Sequence, residues 1–84
     1  MEMNKEYIIF NLRAALEKLE QTIKRLQEDP EYGERKFTAA MKYAYQHINT
    51  AWNAKNCTEQ AVQQCTVEDS ESWKKFPADI DLTR

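Results

Sequence analysis

The sequence predicts an all-α protein, a long antiparallel helical hairpin followed by one or two short C-terminal helices. Three observations carry this expectation. One glycine and two prolines in 84 residues leave few places to turn. Two long segments repeat apolar residues at steps of three and four, the period of one helix face. The break between them, Glu28-Asp29-Pro30-Glu31, is short, and long helices joined by two or three residues must return alongside each other.

Residues 5–28 make the first expected helix, with Asn4 as N-cap and Glu6 in the first turn, where a negative charge suits the helix dipole. Ile9, Leu12, Leu16, Leu19, Ile23 and Leu26 step by three or four throughout and draw one heptad-like stripe. Arg13 with Glu17 and Glu20 with Lys24 stand at i,i+4 on the other side, pairs worth a few tenths of a kcal/mol. Tyr7, Phe10 and Ala14 point away from the stripe as a second, short patch.

The second helix is expected from Pro30 to Lys55, with Asp29 as its cap, Pro30 as its first residue and Asn56 as a left-handed terminator. Its middle, FTAAMKYAYQHINTAWN at 37–53, holds the densest apolar periodicity and the only histidine. Phe37, Ala40, Met41, Ala44, Tyr45, Ile48, Ala51 and Trp52 read as its core side. Gly33 falls inside this helix, where glycine costs about 1 kcal/mol, so close approach of the first helix is its expected compensation. Trp52 should return beside Tyr7 and Phe10.

The remainder is shorter and more polar. Thr58 can cap a small helix over 59–64. Thr66 with Asp69 approximates a capping box for a helix from Val67 to about Lys75, ended by Phe76-Pro77. An extended tail follows over 77–84. Trp73 and Phe76 are expected to fold back over the Tyr7, Phe10 and Trp52 end.

Composition removes several function classes. The formal charge is −2, and the balance runs from nine basic and eight acidic side chains in residues 1–55 to three and six in 56–84. That leaves no basic footprint for nucleic acid and no attraction to an anionic membrane. The longest strongly apolar run, Tyr7 to Phe10, is far short of the ~20 residues that span a bilayer, and the start MEMNKE lacks a signal-peptide core. Cys57 and Cys65, if helical between, stand roughly 12 Å apart, beyond disulfide reach. Free thiols in a reducing cytoplasm are the expectation.

The chemistry-bearing residues are few. Tyr43, His47 and Thr50 share one flank of the second helix, and with Trp52 they make the candidate ligand-binding or acid–base site. A boundary histidine packed on a neighbouring helix is the simpler reading, because no carboxylate stands three or four residues from His47. No Cys-x-x-Cys or His-x-x-x-His pair offers a metal site, no local signature marks a cysteine nucleophile, and a single glycine excludes glycine-rich phosphate loops. No cofactor is implied. The aromatic set is read as core or interface, and the amide stripe Gln46, Asn49, Asn53 and Asn56 as solvated or partner-binding surface.

The Tyr-x-His-x-Asn-Thr-Ala-Trp-Asn run at 45–53, Cys65 and Trp-x-x-Phe-Pro at 73–77 resemble a small uncharacterised family of short helical bacterial proteins. The resemblance implies a bacterial cytoplasmic setting and assigns no activity, cofactor or site. The expected function is therefore a non-enzymatic helical protein that binds another protein or itself. A chain this short has a marginal core, and a homodimer forming a four-helix bundle would complete it; Tyr7, Phe10, Met41, Ile48, Trp52, Trp73 and Phe76 are read as core or interface residues. The alternative is a small-molecule-binding protein or enzyme with its site around Tyr43, His47 and Trp52.

Overall fold

A computed structural model describes residues 2–63 and 67–75 of the chain, and every described element is helical. They are α1 (Lys5–Glu28), α2 (Glu34–Asn53), α3 (Glu59–Gln63) and α4 (Val67–Lys74). Gln64 to Thr66, Phe76 and the 77–84 tail, with the expectations placed on them, lie outside the described residues. No helix among the described residues is long and apolar enough to cross a membrane.

α1 starts at the expected cap. The Asn4 side chain accepts from Tyr7 N–H at 3.1 Å, while its own backbone N–H donates to Lys55 O at 2.7 Å and its amide to Cys57 O at 3.2 Å. One asparagine thus caps α1 and ties it to the end of α2. At the other end Asp29 closes α1, donating its N–H to Arg25 O at 2.9 Å. Its side chain also accepts from Glu31 N–H at 2.9 Å, a local turn that competes with helix.

That turn moves the start of α2. Asp29 belongs to the end of α1, Pro30 to Tyr32 form the connection, and α2 begins at Glu34 with Gly33 as its N-cap. Gly33 is therefore not inside the helix, and no close approach explains it: a Cβ there would meet only Glu31 O, at 4.0 Å. At the C-terminus Ala54, not Asn56, is the cap, and no described residue has a left-handed backbone. The i,i+4 ion pair that closes among the described residues is Arg25–Asp29 at 3.7 Å, rather than those expected at Arg13 and Glu20.

The larger correction concerns which side is inside. The buried apolar residues among those described are four alanines, Ala15, Ala44, Ala51 and Ala54, with the polar Asn11, Thr22, Asn49 and Thr50 buried beside them. Small side chains let two helices approach closely, and the hydroxyls of Thr22 and Thr50 turn back to Lys18 O and Gln46 O at 2.7 Å each. The stripe read as core faces outward. Ile9, Leu12, Leu16, Ile23 and Leu26 keep 47–56 % of their surface exposed, and Phe37, Tyr45 and Ile48 are exposed as well.

Both exposed stripes lie on the same side of the hairpin. At about 100° per residue, the α1 stripe sits to one side of the Asn11, Ala15 and Thr22 seam, and Tyr7, Lys18 and Arg25 sit to the other. On α2, Phe37, Met41, Tyr45, Ile48 and Trp52 flank the Ala44 and Ala51 seam on one side, and Tyr43 and Thr50 flank it on the other. Contacts join the second set across the hairpin: the Lys18 ammonium lies 4.9 Å from the Tyr43 ring centroid and the Arg25 guanidinium 5.4 Å from that of Tyr32. We call that side the back. The apolar stripes share the front.

Candidate functional site

α4 packs on the back of the hairpin, and amides hold it there. Asn49 donates to Lys74 O at 2.9 Å, and Asn53 donates to Trp73 O at 2.8 Å and Lys75 O at 2.6 Å. These are the carbonyls that a helix end leaves without intrahelical partners. Two positions of the amide stripe therefore cap α4 of the same chain. Asn56 donates to Glu2 O at 3.4 Å at the hairpin's open end.

With α4 docked, Trp73 meets Tyr7 edge-on at a centroid distance of 5.9 Å, and Tyr7 stacks on Phe10 at 6.3 Å. Trp73 thus folds back on Tyr7, while Trp52, expected at the same place, does not line this end of the site and Phe76 lies outside the described residues. Tyr7, Phe10, Asn11, Gln46, His47, Thr50, Trp73 and Lys74 line a shallow cleft of about 270 Å³.

His47 is half-buried at the floor of this cleft. Its Nδ1 lies 2.9 Å from Asn11 Oδ1, and the Asn11 amide donates to Tyr7 O at 2.9 Å. The second bond fixes the amide's orientation, so its oxygen faces the imidazole and Nδ1 carries the hydrogen. Tyr43 packs on the ring at 4.6 Å. Burial and the neighbouring Lys74 ammonium both disfavour the imidazolium and hold the His47 pKa below its ordinary value of 6.5.

The structure brings Tyr43, His47 and Thr50 together and separates Trp52 from them. Trp52 projects toward the front of α2, where the Lys55 ammonium lies 3.9 Å from its ring centroid; it does not line the cleft. Met41 is half-buried and Ile48 exposed, both on the front. Among the described residues, the groups found against His47 are the Asn11 amide, the Tyr43 ring and the Lys74 ammonium. Cys57 is a free thiol near Asn4. No group of three metal-ligating side chains assembles among the described residues.

Sequence reading missed Asn11. Its only signal was an asparagine in the second turn of a helix, about two turns after an asparagine cap, which does not distinguish it from a surface residue. The outward position of the α1 stripe, which makes the front face, is the other feature it missed. On this face the α1 stripe alone covers about 25 Å of helix at 1.5 Å per residue, and α2 adds Phe37, Tyr45 and Ile48 beside it.

No protein family, curated protein or solved structure matches this chain.

Proposed function

We propose that this chain is a non-enzymatic interaction protein that works by self-association, its front face packing against a second copy to form a four-helix bundle. One observation carries the reading: the large aliphatic side chains of α1 and α2 lie together on one exposed face, while the hairpin's own seam is filled by alanine, asparagine and threonine. Scattered exposed leucines are ordinary, but a contiguous patch marks an interaction surface. Two helices wide and about 25 Å long, the face is of the order of the ~800 Å² that each partner buries in a standard interface. Covering it would add roughly 1 kcal/mol for each half-exposed leucine or isoleucine. A reducing cytoplasm suits the free Cys57 thiol in this reading.

His47 then has a structural task, joining α1 to α2 where α4 closes over them. The test is a charge on the front face. Leu16→Glu or Ile48→Asp should abolish the dimer, leaving a monomer of reduced helical circular dichroism, with the mass read by light scattering at micromolar concentration. Variants that remain dimeric would contradict the reading.

A further inference from the structure

The dimer reading leaves open which helix of the second copy meets α1, and the order of residues along α1 answers it. Resting on that reading, we infer that α1 packs antiparallel on α1 of the second copy, with Arg13 of each copy paired to Glu20 of the other.

The spacing of the stripe is its own mirror image. Ile9, Leu12, Leu16, Leu19, Ile23 and Leu26 step by three, four, three, four and three, so reversing the helix reproduces the pattern. Laid antiparallel about the midpoint between Leu16 and Leu19, Ile9 meets Leu26 of the second copy, Leu12 meets Ile23 and Leu16 meets Leu19. Every apolar layer is filled with no shift of register. An isologous twofold contact requires that self-complementarity.

The flanks agree with the seam. On the side of the stripe that faces its own α2 stand Ala15 and Thr22, both buried. On the outer side stand Arg13 and Glu20, one heptad apart and both exposed. Antiparallel helices bring like heptad positions of this outer edge together, offset by about 3 Å along the axis in this register. Arg13 of one copy then lies beside Glu20 of the other, twice by symmetry. Among the described residues neither side chain closes an ion pair within its own chain.

The other twofold arrangement sets α1 against α2 of the second copy. Levels along the hairpin follow from Asn11 beside His47, Lys18 beside Tyr43 and Arg25 beside Tyr32. At those levels the outer edge of α2 presents Tyr45, Lys42 and Thr38, which offer Arg13 no acidic partner. Charge complementarity therefore selects α1 on α1.

Arg13→Glu and Glu20→Arg chains test this directly. Alone, each variant sets two like-charge pairs across its homodimer and should dimerise about ten-fold more weakly than the parent chain. Mixed in equal amounts, they restore opposite charges at both places, so native mass spectrometry should find heterodimers well above the statistical half. Effects within one helix are the same in mixed and unmixed samples and produce no such excess. A statistical mixture from a chain that does dimerise would overturn the seam and leave the dimer standing. A parent chain that stays monomeric would overturn both.

Discussion

At the scale of single residues, Asn11 and His47 show how a hairpin can place polar groups in its seam without cost. Asn11 donates its amide N–H to Tyr7 O and its oxygen accepts from His47 Nδ1, so neither is left buried and unpaired, an omission that costs about 1–3 kcal/mol. Burial and the Lys74 ammonium disfavour the imidazolium there. Because burial and Lys74 lower its pKa, the folded chain binds fewer protons than the unfolded one at pH values between the folded value and 6.5. The contribution of His47 is then complete above 6.5 and declines as pH falls through the folded pKa. Thermal melts should accordingly show a larger loss of stability from pH 7.5 to 5.5 in the parent chain than in His47→Gln, whose amide has no proton to gain. Equal losses would contradict the assignment. Little of this was legible in the sequence: the histidine flank was visible from its spacing with Tyr43 and Thr50, but its partner comes from another helix, and an asparagine carries no periodic signal.

Among the elements, helix existence was easier to read than helix ends. α1 begins at its cap and ends at the expected Glu28, because Asn4 and the Asp29-Pro30 break act locally. α2 begins at Glu34 instead of Pro30 because the Asp29 side chain is already engaged with Glu31 N–H and serves the end of α1. Proline's preference for a first helical turn is weaker than that local bond. Asn49 and Asn53 illustrate the opposite limit, since side chains that read as solvated or partner-binding surface hold the last carbonyls of α4. Asn53→Ala should therefore leave the hairpin intact and loosen α4 by about 1 kcal/mol per lost hydrogen bond. In a Trp52→Phe background, Trp73 emission would shift to the red as it leaves Tyr7. Unchanged emission would mean that the amide does not hold α4.

For the whole molecule, the sequence announces an apolar stripe on each long helix but does not say what covers it. Periodicity fixes an angle on a helix, and the natural assumption is that the two stripes meet. In this chain they lie side by side, because Ala15, Thr22, Ala44 and Ala51 fill the seam and leave the leucines and isoleucines on the front. Four buried alanines are a small core for two helices of 24 and 20 residues. Stability is then expected to depend on concentration, as it does for dimers whose folded monomer is weak. Sedimentation equilibrium of the unmodified chain at micromolar concentration tests this most directly. A self-associating chain gives a species of about twice the 10.0 kDa chain mass; a stable, fully helical monomer at 10.0 kDa would rule the dimer out.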